Sequence, residues 1–116
     1  MATVPTDIFA IEKGFWTGDE AYYQKHTDAE CLVAFADMPG VMENGDLAAT
    51  AKDGRRWRDL ELEPKGAVQP TADTLILTYE ATATKESGEP YSALVTTGYV
   101  QRGDDWKMMF HGQTPH

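Results

Sequence analysis

The sequence predicts an α+β fold, with helices from its first half packed on one face of a mostly antiparallel sheet built largely from its second half. Apolar residues near the N-terminus fall at helical spacing, whereas apolar and polar residues alternate from Trp57 onward. Two hairpin-like turns, "KESGEP" and "RGDD", divide the second half. A strongly curved sheet packed on two or three N-terminal helices leaves a cone with an open end, which is a natural site for a small molecule.

Two helices are expected close to the N-terminus. Thr6 or Asp7 can cap the first after Pro5, and apolar side chains then recur at helical spacing as far as Trp16. The stretch "TGDE" ends that helix, and Asp19 can cap a shorter one through residues 20–26.

The middle of the chain carries weaker signals. The apolar run "CLVAFA", residues 31–36, predicts a short strand. The following "DMPGVMENGD" is full of helix and strand breakers and predicts a loop. The Ala-rich residues 45–52 form either a third helix or an irregular segment, because they show little apolar periodicity.

Four segments with a period of two predict the strands of the sheet: "WRDLELEPKG", "TLILTYEATATK", "YSALVTTGYVQR" and "WKMMFHGQT". They complete a single expected domain over residues 1–116.

Composition argues against several classes of function. The net charge of -9 opposes nucleic-acid binding, and acidic residues surround the basic cluster "RRWR". The N-terminus resembles neither a signal peptide nor a membrane span, and Cys31 has no second cysteine to pair with. We therefore expect a soluble, cytoplasmic protein without a nucleic-acid or membrane partner.

Several stretches resemble the nuclear-transport-factor-2-like superfamily, in particular its SnoaL-like and calmodulin-kinase-association-domain-like branch of unknown function. They are "ECLVAF", "PGVM", "RRWRDLELE" and the long run from "LTYEATATK" to "MMFHGQTP". The resemblance implies a cone-shaped α+β barrel, usually a homodimer, with a pocket between helices and sheet. It implies no single activity, because the superfamily includes isomerases, dehydratases, cyclases and pure binding or assembly modules. It would also place a glutamine where Gly112 stands, so that only His111 and Gln113 carry over.

His111 is the most tempting catalytic residue, and its surroundings depend on the strand register. Simple alternation puts His111 and Gln113 on one face with Met109, and Met108 on the other. A three-residue turn pairs Thr97 with His111 and Tyr99 with Met109. A two-residue turn pairs Thr96 with His111 and Tyr99 with Met108. Either register places a threonine hydroxyl opposite the imidazole, which favours a structural role.

A catalytic histidine needs an orienting acid or a defined substrate proton. The acids that the sequence offers for this role are Asp37, Glu80 and Glu43, of which Asp37 lies best for a pocket rim. His111 and Asp37 are accordingly weak catalytic candidates. The expected ligand-binding residues combine aromatic, flexible and polar side chains: Trp16, Tyr22, Phe35, Met38, Met42, Trp57, Tyr79, His111 and Gln113.

No metal or cofactor is expected. His26, His111 and His116 are scattered, and the sequence contains neither a nucleophile elbow nor a phosphate-binding or dinucleotide fingerprint. Cys31 lies in an apolar strand, where thiols are usually inert. Three hypotheses stay open: a homodimeric small-molecule binder with an apolar, aromatic-lined pocket; a cofactor-independent isomerase, cyclase or dehydratase that uses His111 with a nearby acid; and a dimerisation or assembly module without a ligand.

Overall fold

The residues that the structure describes form three helices and one six-stranded sheet. The computed structural model describes residues 8–35, 38–51 and 57–116. Of Met38 it describes the backbone and not the side chain. The helices are α1 (Ile8–Thr17), α2 (Glu20–His26) and α3 (Asn44–Ala51). The strands are β1 (Thr27–Phe35), β2 (Met38–Glu43), β3 (Trp57–Thr71), β4 (Thr74–Lys85), β5 (Pro90–Arg102) and β6 (Asp105–Pro115).

The sheet has the order β2-β1-β6-β5-β4-β3. The pair β1–β6 is parallel, and the other four neighbouring pairs are antiparallel. The predicted α+β class with a mostly antiparallel sheet is therefore confirmed. The sheet is not closed, since β2 and β3 form its two edges, and this agrees with a curved cone.

The helices largely follow their sequence signals. The side chain of Asp19 accepts a hydrogen bond from the backbone N–H of Tyr22 at 3.0 Å and so caps α2, as predicted. The third helix is formed, which decides between the two alternatives for that segment. The predicted cap of α1 at Thr6 or Asp7 lies outside the described residues.

The prediction of a loop from Asp37 to Asp46 is wrong over most of its length, because Met38–Glu43 forms strand β2 against β1. The breakers Pro39 and Gly40, the latter with φ of 132°, are tolerated because an edge strand makes ladder hydrogen bonds on one side only. The opposite edge strand, β3, likewise runs through Pro64 and Pro70.

The helices cover one face of the sheet, here called the inner face, and leave the outer face open. The core lies between α1, α3 and the inner-face residues of the strands, among them Val33, Leu77, Tyr79, Val95 and Tyr99. On the outer face, the strand registers align one mostly apolar residue from each strand in a continuous row: Val68, Ile76, Gly98, Phe110, Leu32 and Val41.

Candidate functional site

A β-bulge in the last strand decides which way His111 points. The β5–β6 turn is the two-residue one, and it pairs Tyr99 with Met108. The register then shifts at Met109, so that Thr97, and not Thr96, faces His111. Each of the two registers considered from the sequence is therefore correct for one half of the hairpin.

The bulge also corrects the assignment of faces. Met108 and His111 are both buried and lie on the inner face, although they are three residues apart. Gly112 lies on the outer face, where an added Cβ would meet the Cβ of Ala34 and the ring of Phe110, both at 3.3 Å. The missing glutamine at this position therefore takes nothing away from the inner face.

Beneath His111 lies a fully buried acid, Glu12, which is 0% exposed. Its Oε2 accepts hydrogen bonds from the hydroxyls of Tyr79 at 2.5 Å and Thr97 at 2.7 Å. Its Oε1 accepts a hydrogen bond from the hydroxyl of Tyr99. Three convergent donors are what a buried ionised carboxylate requires, because an unsatisfied buried charge is very costly.

These donors fix the tautomer of His111. Thr97 gives its only hydrogen to Glu12, so its oxygen must accept the bond that joins it to His111 Nδ1 at 2.8 Å. The imidazole therefore carries its proton on Nδ1, which also lies 3.4 Å from Glu12 Oε2. Nε2 then accepts from the side-chain amide of Gln113 at 3.0 Å.

The chain of hydrogen bonds continues at both ends. Tyr91 donates to Gln113 Oε1 at 2.7 Å, and the indole of Trp16 donates to the hydroxyl of Tyr79 at 2.9 Å. In every hydrogen bond of this set, the donor lies farther along the chain of bonds from the carboxylate of Glu12 than the acceptor does. We call the set the Glu12 network; its members are Glu12, Trp16, Tyr79, Tyr91, Thr97, Tyr99, His111 and Gln113.

Burial and the charge of Glu12 determine the protonation of the network. Burial lowers the pKa of His111, and the opposing influence of Glu12 is smaller, so the imidazole is neutral at pH 7. Burial raises the pKa of Tyr79 and of Tyr99, and Glu12 adds to both shifts, so the two phenols keep their protons. Burial similarly raises the pKa of the Cys31 thiol to about 12, which agrees with the expectation of an inert cysteine.

His111 and Gln113 line a small hollow between α1, α2, α3 and the inner face. The other lining residues are mainly aromatic or aliphatic: Phe15, Tyr23, Val33, Phe35, Leu47, Thr50 and Met108. Its volume is about 70 Å³, which is small beside the roughly 300–1,000 Å³ of typical ligand pockets, so it admits only a compact molecule. The hollow thus presents His111 and Gln113 in a wall that is otherwise mostly apolar, with Thr50 as a further polar side chain.

The structure places the residues predicted for ligand binding in three groups. Phe35, His111 and Gln113 line the hollow. Trp16 and Tyr79 belong to the Glu12 network behind it. The others pack elsewhere: Tyr22 against Phe15, Trp57 on Trp16 at a ring-centroid distance of 5.2 Å, and Met42 against the core. The side chain of Met38 and all of Asp37 lie outside what the structure describes.

Sequence reasoning missed Glu12 as the acid beside His111. Glu43 is exposed, and Glu80 lies on the outer face with Thr78 and Thr82. A signal for Glu12 was present, because it follows Ile8 by four residues and precedes Trp16 by four, on the stripe of α1 that is buried. A carboxylate on an apolar stripe indicates either a paired buried charge or a functional site.

Within residues 8–35, 38–51 and 57–116, no three His, Cys, Asp or Glu side chains are grouped so as to hold a metal ion. In the same part of the chain, no helix is long and apolar enough to cross a membrane.

Taken together, the helices, the strand order and the open cone define the nuclear-transport-factor-2-like (NTF2-like) fold, and solved structures support this. An NTF2-like protein of unknown function from Prochlorococcus marinus is similar over 98% of this chain and 94% of its own, with 11% identity and a TM-score of 0.77. A putative ketosteroid isomerase from Parabacteroides distasonis is similar over 98% and 89%, with 16% identity and a TM-score of 0.75.

The association domain of the calcium/calmodulin-dependent kinase CaMKII from C. elegans is similar over 92% of this chain and 88% of its own, with 10% identity and a TM-score of 0.69. No family model matches the sequence. No curated protein matches it either. Structural similarity at sequence identities this low establishes the fold and leaves the activity open.

Proposed function

We propose that the protein binds a small organic molecule in the hollow, through the side chains of His111 and Gln113. The observation that carries the proposal is the placement of these two polar groups inside a wall that is otherwise mostly aromatic and aliphatic. Ligand sites typically combine an apolar lining with a few polar groups that are fixed in orientation. The Glu12 network fixes both groups, because each makes hydrogen bonds on the side away from the other.

The binding can be tested with protein carrying ¹³C-labelled methionine methyl groups. Met108 lines the hollow, whereas Met109 does not. Titration with a library of small organic fragments should shift the Met108 methyl resonance and leave that of Met109 in place.

A matched pair of variants tests the location. Thr50 and Ala49 are both exposed on α3, but only Thr50 lines the hollow. Thr50→Phe should fill the mouth and abolish the shifts, whereas Ala49→Phe should preserve them. Fragments that shift Met108 equally in both variants would place their binding elsewhere and refute the proposal.

A second candidate, an acid–base enzyme, is favoured by the link from Glu12 through Thr97 to His111. If Nε2 of His111 takes a proton from a ligand C–H, the imidazolium forms within 3.4 Å of a buried carboxylate, which stabilises it. The same nitrogen then returns the proton to a neighbouring atom, which completes an isomerisation without a cofactor. Exchange of C–H for C–D in small ketones dissolved in D₂O, followed by NMR, tests this: the deuteron comes from the solvent, and the exchange should disappear in His111→Gln.

We also propose that the chain forms a homodimer through the outer face. The row from Val68 to Val41 crosses all six strands, and large apolar side chains in it are well exposed, for example Leu32 at 48% and Ile76 at 41%. Gly98 and Gly112 lie near its centre, and the side chains of Phe110, Met109 and Ala34 lie beside them, which keeps this part of the surface apolar. A two-fold contact brings the same patch together from both subunits.

Analytical ultracentrifugation tests the dimer. Ile76→Asp places a charge in the row and should yield monomers, whereas Ala10→Asp, on an exposed position of α1, should not. A wild-type protein that is monomeric at micromolar concentrations would refute the dimer. A dimer without any fragment binding would support the assembly hypothesis in place of ligand binding.

A further inference from the structure

The Glu12 network also determines which small molecules the hollow can accept, an inference that rests on the proposed binding function. Because every hydrogen bond of the network is donated in the direction of Glu12, His111 carries its proton on Nδ1 and offers the lone pair of Nε2 as an acceptor. At present the amide of the half-buried Gln113 occupies this lone pair. A ligand that takes the place of this amide must therefore bring a hydrogen-bond donor.

The charge of the site points the same way. Among the described residues, the group within ion-pair distance of Glu12 is His111, and that imidazole is neutral at pH 7. The three hydroxyls satisfy the hydrogen bonds of the carboxylate, and no described residue compensates its charge. In a buried setting this field is poorly screened, and the net charge of -9 adds to it.

The wall of the hollow suits a cation as well. Phe15, Tyr23 and Phe35 contribute aromatic rings to the lining. The faces of such rings carry partial negative charge and attract ammonium groups. An anionic ligand would meet this wall and the Glu12 charge together, with no cationic side chain among the described residues that line the hollow.

We propose that the hollow selects small alkylammonium ions that carry an N–H, in preference to neutral molecules of the same size, and that it rejects carboxylates. The N–H donates to His111 Nε2, the positive charge lies in the field of Glu12, and the alkyl groups contact the aromatic and aliphatic wall. The small volume limits the ligand to a compact ion or to the head group of a longer amine.

Four compounds of similar shape separate these contributions. The tert-butylammonium ion has both charge and donor, tetramethylammonium has charge without a donor, tert-butanol has a donor without charge, and pivalate has a negative charge. Each is titrated against the Met108 methyl resonance at pH 7 and matched ionic strength. The expected affinity order is tert-butylammonium first, by about tenfold over tert-butanol, then tetramethylammonium and tert-butanol, with no binding of pivalate.

A pair of charge-removing variants identifies the source of the preference. Glu12→Gln removes the buried charge and should reduce the advantage of tert-butylammonium over tert-butanol to about twofold or less. Glu80→Gln removes an equal charge from the outer face and should leave that advantage unchanged. If Glu12→Gln does not fold, the ranking of the four compounds on the wild-type protein decides the question alone.

The outcomes distinguish the two proposals. Pivalate binding as well as tert-butylammonium, or all four compounds binding equally, would overturn the cation preference and leave the binding function in place. Equal preference in the wild type and in a folded Glu12→Gln variant would also overturn it. If none of these compounds and no library fragment shifted Met108, the binding function and the preference would fall together.

Discussion

The substitution Tyr99→Phe tests directly whether Glu12 is held as a buried carboxylate. It removes one hydroxyl from a fully buried side chain and leaves the ring in place. Among the bonds described, the hydroxyl of Tyr99 is the sole donor to Glu12 Oε1, whereas Oε2 has two donors. Loss of a hydrogen bond to a charged group costs about 1.5–3 kcal/mol.

The matched control is Tyr91→Phe, which removes a hydroxyl that donates to the neutral amide of Gln113. A neutral hydrogen bond contributes about 0.5–1.5 kcal/mol. An unfolding entropy of about 2.1 cal/mol/K per residue over 116 residues gives about 0.24 kcal/mol/K. Tyr99→Phe should therefore lower Tm by about 6–12 °C, and Tyr91→Phe by about 2–6 °C.

Thermal unfolding followed by circular dichroism, with urea titrations as a second measure of the free energy of unfolding, provides the comparison. The decisive quantity is the difference between the two variants, because both lose a tyrosine hydroxyl. A loss of stability in Tyr99→Phe no larger than that in Tyr91→Phe would show that Glu12 Oε1 does not need a charge-assisted donor, and the argument for an ionised acid would fail.

Three further predictions follow from the same contacts. Long-range ¹H–¹⁵N NMR spectra at pH 7 should show His111 as the neutral tautomer with its proton on Nδ1; an Nε2–H tautomer would contradict the direction of the network. Because burial holds the folded-state pKa of His111 below its unfolded value near 6.5, the unfolded state binds more protons as the pH falls through that value. The wild type should therefore lose stability from pH 8 to pH 5.5, and His111→Gln should lose less; parallel curves for the two proteins would argue against a buried neutral imidazole. Finally, Gly18→Ala should lower the free energy of unfolding by about 1–3 kcal/mol, since its Cβ would lie 2.5 Å from the carbonyl oxygen of Gly14. Gly45→Ala, with open space around it in α3, should raise the free energy of unfolding by about 0.4–1 kcal/mol. Urea unfolding measures both, and equal effects would mean that the close approach at Gly18 is relieved at little cost.

Local signals in the sequence were sufficient for most of the elements. The switch from helical to alternating periodicity predicted the α+β class, and Asp19 marked the start of α2. The strand β2 was missed because Pro39 and Gly40 break strands in general, and only its place at the edge of the sheet makes them acceptable. Whether a strand is an edge depends on the order of all six strands, which no local pattern contains.

The candidate site depended even more on tertiary structure. The sequence alone identified His111 and Gln113 and placed a threonine opposite the histidine. The β-bulge at Met109 chose Thr97 and turned Met108 to the same face as His111, and a bulge of this kind leaves no clear mark in the pattern of residues. The acid came from a helix 99 residues away in sequence, because packing α1 on the sheet brings Glu12 beneath the imidazole, and contacts between distant segments are fixed only by that packing.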